Sequence, residues 1–249
     1  MRRRRNTRLA IGTGLVAALV LFAIVSSGGD DTKDGNGGAN PASAMPDCER
    51  SEEPPVQAAP QQYDKAPPMA LEDGVDYSAI VTTSCGEFLI DLDEKGSPIN
   101  VNNFVFLAQE GYYDGLIWHR VERNAVIQTG DPNGQNGTPP DGPGYTVRDE
   151  VPGGASAYIY GIVAMANTGQ PNSAGSQWFI VTHGSPGSDD EGQPAGYDPK
   201  YSIIGTVEPG SYEVLDIIDK QPTQGGNDDI IAVLPKVPIY IESIEIIKN

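Results

Sequence analysis

The feature that most limits the fold is the spacing of short apolar runs from Tyr77 to the C-terminus. Gly, Pro, Asn and Asp separate these runs, and the whole chain contains 30 Gly and 21 Pro. Runs this short, with turn residues between them, are typical of β-strands. Two segments are predicted as helices: one opens at Ser97-Pro98 and ends at Gly111, and the other covers 212–220. The sequence therefore predicts an all-β barrel or sandwich of about eight strands with two helices.

The N-terminus carries a targeting signal. Four consecutive arginines, Arg2–Arg5, precede Leu9–Val25, in which seventeen positions carry no charge. A helix of that length is about 25 Å long, near the lower limit for a membrane span. Residues 1–27 are interpreted as a cytoplasmic arginine cluster and a single-pass transmembrane anchor. A cleaved signal peptide, which would leave a secreted protein, is the alternative, and both interpretations place the remainder of the chain outside the cytoplasm.

The segment that follows the apolar run is polar and irregular. Residues 28–76 are rich in Pro, Gly, Asp and Gln, which predicts a disordered linker ahead of a domain at 77–249. Cys48 and Cys85 both lie on the exported side, where a disulfide between them is permitted and two separate thiols are the alternative.

The charge of the chain limits its partners. Lys and Arg number 16 against 34 Asp and Glu, a formal net charge of −18. So acidic a body repels nucleic acid phosphates, and no nucleic acid partner is expected.

Several catalytic classes lack the residues that they require. The chain has 2 His, His119 and His183, and no Gly-x-Ser-x-Gly motif, so a hydrolase is poorly supported. No His pair at ligand spacing, no Cys-x-x-Cys and no calcium loop is present, and no phosphate-binding glycine pattern occurs. No metal and no cofactor are therefore expected.

A series of short motifs in a fixed order remains. The segments are Trp118-His119-Arg120-Val121, Gln128-Thr129-Gly130-Asp131, Met165-Ala166-Asn167, Pro171-Asn172-Ser173-Ala174-Gly175-Ser176-Gln177-Trp178-Phe179-Ile180 and Ile204-Gly205-Thr206-Val207. Together they resemble the cyclophilin family of peptidyl-prolyl cis/trans isomerases, in family order and from Tyr77 to Lys248. The interpretation is an extracytoplasmic, bacterial-like member of that family.

The resemblance implies an eight-stranded antiparallel barrel capped by two α-helices, with a substrate groove on one outer face. It also implies prolyl isomerase activity on proline-containing polypeptides by a monomeric catalytic domain. Arg120 matches the catalytic arginine of the family. The residues that match substrate-binding positions are Gln128, Val126, Ala166, Asn167, Gln177 and Phe179, with Tyr197 and Tyr201 near the positions of an apolar residue and a His on the pocket rim.

The reaction explains why an arginine is sufficient. Rotation about an Xaa-Pro amide must break C–N resonance against a barrier of about 18–20 kcal/mol, but it breaks no bond. In the twisted amide the prolyl nitrogen gains a lone pair, and a donor such as Arg120 binds that state better than the planar one. If the strand is regular, Trp118 shares the groove face with Arg120, while His119 and Val121 face the other side.

One departure from the family pattern favours a rival function: Ala125 stands where a pocket Phe is expected. In addition, no Trp occurs in the loop from Gly184 to Lys200. Thr129 also replaces a Gly. The rival is a catalytically weak cyclophilin-like module that binds peptides or acts as a chaperone.

Overall fold

The computed structural model describes Cys48 and residues 61–134, 142–225 and 233–249, all of which belong to the compact unit Ser43–Asn249. These residues form eight strands and two α-helices. In chain order they are β1 (Tyr77–Thr83), β2 (Gly86–Leu92), α1 (Pro98–Gln109), β3 (Arg120–Glu122), β4 (Val126–Thr129), β5 (Ile162–Met165), β6 (Trp178–Val181), β7 (Ile203–Val207), α2 (Tyr212–Asp219) and β8 (Ile241–Lys248). The predicted all-β class with two helices is confirmed.

The strands form one antiparallel sheet in the order β3-β4-β6-β5-β7-β2-β1-β8. Backbone bonds also connect the segment before β3 to the start of β8, from Trp118 N to Ile239 O over 2.9 Å and from Gly115 N to Ile241 O over 2.8 Å. These bonds bring the two ends of the sheet together, as closure into a barrel requires.

The sheet carries an apolar cluster on each of its faces. In β6, Trp178 and Ile180 belong to the inner core, and the alternating residues Phe179 and Val181 belong to a second group. We call this second group the outer cluster; its buried members are Val126, Tyr158, Ile162, Ala164, Phe179 and Val181. A strand that is buried on both faces needs apolar residues at every position, and all four residues of β6 are apolar and buried.

The first helix begins where the Ser-Pro pair predicts, but the residue that caps its N-terminus is distant in the sequence. Pro98 is the first helical residue, and the Ser97 side chain makes no capping bond. Instead the Glu150 carboxylate accepts from the backbone N–H of Ile99, at 3.0 Å, and of Asn100, at 2.9 Å. A carboxylate at this end satisfies N–H groups that lack helical partners and complements the helix dipole.

Residues 61–76, which the sequence assigns to the linker, lie on the domain instead; we call them the strap. Tyr63 N donates to Pro143 O over 2.8 Å, and the Asn102 side chain bonds Ala70 N and Pro68 O. Leu71 is one of several strap residues packed against the inner core. Proline lowers the entropy of the unfolded chain, so a Pro-rich segment becomes ordered once its apolar side chains have a surface to cover.

The two cysteines are joined. Cys48 and Cys85 form a disulfide across a sequence separation of 37, with their Cα atoms 4.1 Å apart. Cys85 lies in the turn between β1 and β2, so the bond connects the chain ahead of the strap to the sheet.

No helix in the described ranges is long and apolar enough to cross a membrane. The predicted anchor, Leu9–Val25, lies outside the described residues.

Trp118 does not share the face of Arg120, which corrects the expectation from strand alternation. It is fully buried in the inner core, with its ring centroid 5.2 Å from that of Trp178. Regular alternation fails because β3 begins only at Arg120, and Trp118 is bonded to the chain before β8. Val121 does face the inner core as expected.

Candidate active site

Four residues form a row across four neighbouring strands. Arg120 of β3 lies opposite Gln128 of β4, which lies opposite Phe179 of β6, and Phe179 in turn lies opposite Ala164 of β5. Directly opposed residues of antiparallel strands project to the same face of the sheet. Because Phe179 and Ala164 belong to the outer cluster, Arg120 and Gln128 share the outer face with it.

The Arg120 guanidinium is held on two sides. Its Nη1 donates to Gln128 Oε1 over 3.0 Å, and its Nε donates to Glu122 Oε1 over 3.1 Å. Nη2 is 2.9 Å from the same Glu122 oxygen, and the two side chains are 38% and 40% exposed. The planar group is therefore oriented, yet it remains accessible from solvent. Glu122 is a partner that motif matching missed, although its position two residues after Arg120 places it on the same strand face.

The hydrogen-bond chain continues beyond Arg120. Gln128 Nε2 donates to Gln177 Oε1 over 2.8 Å, and Gln177 Nε2 lies 3.4 Å from Asp131 Oδ2. Since the Gln128 oxygen accepts from Arg120 while its nitrogen donates to Gln177, its amide has one orientation. The structure thus brings together Arg120, Gln128 and Gln177, as the sequence predicts.

An apolar cluster adjoins this polar chain. The Phe179 ring centroid is 5.2 Å from that of Tyr201 and 6.3 Å from that of Tyr197, and Val126 belongs to the same outer cluster. Both tyrosines are half-buried and pack against that cluster. The structure therefore brings all four predicted pocket residues, Val126, Phe179, Tyr197 and Tyr201, into one apolar cluster. Ala125, at the position of the expected Phe, is half-buried.

Tyr158 supports this pocket and was missed by the sequence reasoning. It is fully buried, its ring packs against both rim tyrosines, and its hydroxyl accepts from Tyr201 N, at 3.1 Å, and donates to Tyr201 O, at 2.8 Å. It precedes β5 in an irregular stretch, where no strand or helix pattern marks it. Its buried ring supports the two rim tyrosines at a site that lacks the expected Phe.

The rim tyrosine Tyr197 is neutral at ordinary pH. Burial raises the pKa of Tyr197 above its usual value of 10.0, and the positive charge of Arg120 opposes that rise. Tyr197 thus offers a hydroxyl and an apolar ring beside the guanidinium.

A cavity of about 920 Å³ lies next to the row. Gln128, Ala166, Asn167 and Gln177 line it, so it adjoins the predicted substrate site. Asn167 uses its side chain to hold local structure: its Nδ2 donates to Lys200 O over 2.8 Å, and its Oδ1 accepts from Gly169 N over 3.0 Å.

His119 is not a candidate acid or base in this site. It is 3% exposed, and burial lowers its pKa from 6.5 to about 4, against the opposing effect of the Asp131 charge. Within the described ranges, no group of three or more His, Cys, Asp or Glu side chains is placed to hold a metal ion.

Comparison with known proteins gives a consistent result. The family model of cyclophilin type peptidyl-prolyl cis-trans isomerase/CLD matches residues 78–246. Probable peptidyl-prolyl cis-trans isomerase B of Mycobacterium tuberculosis is 34% identical over 171 residues, covering 63% of this chain and 51% of that protein. Peptidyl-prolyl isomerase CWC27 of Cryptococcus neoformans is 33% identical over 181 residues, covering 72% of this chain and 34% of that protein.

The chain thus spans about half of one relative and about a third of the other. A crystal structure of a Cryptosporidium parvum cyclophilin type peptidyl-prolyl cis-trans isomerase matches with a TM-score of 0.58 and 27% identity, covering 70% of this chain and 99% of that one. With the family model matching most of the domain, the chain belongs to the cyclophilin-type peptidyl-prolyl cis-trans isomerase family.

Proposed function

We propose that this chain accelerates cis/trans rotation of Xaa-Pro bonds in exported or unfolded polypeptides. The observation that carries the proposal is the placement of the Arg120 guanidinium, oriented by Gln128, on the same sheet face as the apolar cluster around Phe179. The prolyl ring enters the apolar pocket, and the amide nitrogen of the same residue then lies toward the charged donor.

The chemistry requires selective stabilisation of the twisted amide. Loss of C–N resonance leaves a lone pair on the prolyl nitrogen, and Arg120 donates to that lone pair only in the twisted state. A donor that is fixed before the reaction loses no energy to reorganisation, and the bonds of Arg120 to Gln128 and Glu122 provide that fixing.

The tyrosines offset the missing pocket Phe. Tyr197 and Tyr201 pack edge to face against Phe179, and their rings can bury apolar surface of a prolyl ring at low entropic cost. Tyr158 packs against both rim tyrosines and supports them from the buried side. Ala125 therefore does not leave the pocket without an aromatic wall.

The test is two-dimensional exchange NMR on an Ala-Pro peptide, with the full-length protein in mild detergent. We expect wild type to accelerate exchange and Arg120→Ala to lower kcat/KM by about 10²–10³-fold, as loss of one electrostatic donor does elsewhere. Arg123→Ala is the matched control, because Arg123 is in the same hairpin but donates to Lys220 O at the surface. A folded Arg120→Ala variant with wild-type turnover would show that the mechanism is wrong.

A second candidate is a binding module with little catalysis. The ion pair with Glu122 favours it, since the carboxylate neutralises part of the charge that Arg120 offers to a substrate. Wild-type protein that binds Ala-Pro peptides but leaves their exchange rate unchanged would identify this function.

We also infer that the protein is a bacterial-like, membrane-tethered member of the family, with its catalytic domain outside the cytoplasm. Arg2–Arg5 ahead of Leu9–Val25 supports the anchor, and the Cys48–Cys85 disulfide suits an oxidising compartment. Protease added to intact cells should digest the domain of a protein that sediments with membranes. A mature protein in the medium that begins after the apolar run would replace the anchor with a cleaved signal.

A further inference from the structure

The strap forms part of the wall of the cavity beside the proline site. Gln62 lines that cavity together with Gln128, Ala166, Asn167 and Gln177. The family model begins at residue 78, so Gln62 lies outside the region by which the family is defined. A residue of this chain's own N-terminal segment thus contacts space that adjoins the substrate site.

Backbone contacts fix the position of Gln62. Its Nε2 donates to Gly142 O over 2.6 Å, and the neighbouring Tyr63 N donates to Pro143 O over 2.8 Å. Gly144 has a φ of +89°, and a Cβ there would lie 2.6 Å from Tyr63 O. The strap therefore meets the 142–144 segment at a distance that only glycine permits.

Aromatic packing holds the same part of the strap. The Tyr63 ring centroid is 5.0 Å from that of Phe106 and 6.3 Å from that of Tyr145, and both pairs meet edge to face. Tyr145 is itself fixed by a bond of 2.7 Å from its hydroxyl to Asn103 Oδ1. Gln62 is thus held next to an anchored ring, and its side chain reaches the cavity from a defined backbone.

The groups that line the cavity determine which substrate side chain it can accept. The polar side chains that line the cavity carry amides and hydroxyls, and none of the described lining residues is charged. Asn167, Thr168 and Ser173 use their side chains in bonds to neighbouring protein groups, whereas Gln62 reaches the cavity from the strap. The bond to Gly142 O uses one amide hydrogen of Gln62, and a glutamine carries a second hydrogen and an acceptor oxygen. Such a wall matches a neutral side chain that can donate and accept, and its described residues carry no charge to offset the desolvation of a charged side chain.

We propose that Gln62 is a specificity-determining residue that favours substrates with a neutral amide or hydroxyl side chain within a few residues of the proline. The inference rests on the proposed function, because the cavity and the proline site share Gln128 and Gln177. The strap contributes this selectivity without touching Arg120, so it changes which proline is chosen and leaves the rotation step unaltered.

The test measures preference rather than activity. A peptide panel places Ala, Gln, Glu or Lys, one position at a time, at three positions before and two positions after the proline. Full-length wild type, Gln62→Ala and Gln61→Ala are compared by exchange NMR. Gln61 is the matched control, since it does not line the cavity and its Nε2 bonds Glu110 O. Its Oε1 accepts from the Tyr63 hydroxyl, so Gln61→Ala also removes one polar contact of the anchoring tyrosine while the packing of that ring against Phe106 and Tyr145 remains.

We expect wild type to prefer Gln over Ala at one position by about fivefold, the effect of a single neutral hydrogen bond. Gln62→Ala should abolish that preference with the Ala peptide unchanged, and Gln61→Ala should retain it. Tyr63→Ala, which removes the ring that anchors the strap, should reproduce the loss. Wild type without a Gln preference, or Gln62→Ala with the wild-type profile, would overturn the proposal.

Binding of the same panel by chemical-shift titration separates the two proposals. Wild type that fails to accelerate any peptide would refute the isomerase function. The affinity ratio of Gln to Ala peptides, with and without Gln62, would still decide the role of the strap.

Discussion

Arg120 and Gln128 face each other across the β3–β4 pair, and Nη1 of the arginine donates to Oε1 of the glutamine over 3.0 Å. The opposite edge of the guanidinium bonds Glu122. A planar fork held at both edges has a defined direction, which a flexible point charge lacks. The geometry of Arg120, in addition to its charge, therefore defines the site.

Arg120→Lys should lower kcat/KM by at least about tenfold, because an ammonium cannot bond Gln128 and reach the prolyl nitrogen in one plane. The free energy of unfolding should change by less than about 1 kcal/mol, since the side chain is half-exposed and its ion pair is solvated. Exchange NMR and urea unfolding measure the two quantities, and Arg123→Lys is the control. Wild-type turnover in Arg120→Lys would show that charge alone suffices.

Tyr158→Phe should raise KM several-fold while kcat stays near its wild-type value. The substitution leaves the N–H and C=O of Tyr201 without the hydroxyl that bridges them, which costs about 1–3 kcal/mol and loosens the pocket rim. Tyr160→Phe is the matched control, because Tyr160 is also a buried tyrosine and its hydroxyl donates to Asp216 in α2. Equal KM values for the two variants would show that the Tyr158 hydroxyl has no specific role in substrate binding.

The sequence predicted those parts of the fold that depend on local pattern. Alternation and turn residues located the strands, and the Ser97-Pro98 pair located the start of α1. The cap on that helix could not be found in this way, because Glu150 lies 50 residues from Asn100 along the chain. Such contacts between distant segments leave no periodic signal.

The same distinction between local pattern and distant contacts applies to the residues of the candidate site. The motifs predicted Arg120, Gln128 and Phe179, which the strand register then places in one row. Tyr158 lies in irregular structure and acts through a backbone contact, so its residue type alone carries no signal. The order of the strap could not be predicted, because its Pro-rich composition is typical of a disordered linker. A few packed side chains determine whether such a segment is ordered.

His119 should make stability depend on pH between about 6.5 and 4. Burial lowers its pKa from 6.5 to about 4, so the folded protein keeps it neutral where the unfolded chain takes up a proton. The unfolded state then binds more protons, and the free energy of unfolding falls as the pH drops through this range. The full contribution is on the order of 3 kcal/mol, at about 1.4 kcal/mol per pH unit.

Urea unfolding of wild type and His119→Gln across this pH range measures the effect. The variant should show a shallower loss of stability from pH 6.5 to 4 than wild type. His183→Gln, which replaces the histidine beside Asp190 nearer the surface, is the matched substitution at a second histidine. Identical slopes in wild type and His119→Gln would show that carboxylates alone produce the acid sensitivity.

The double variant Cys48→Ser/Cys85→Ser should unfold more readily than wild type by up to about 4 kcal/mol. The disulfide closes a sequence separation of 37 and so restricts the unfolded chain. Urea unfolding of the full chain with and without reductant measures the difference, and reductant should not affect the double variant. Denatured, unreduced wild type should label no thiol, whereas Cys85→Ser should label one, at Cys48. Two labelled thiols in unreduced wild type would show that the bond does not form in the cell.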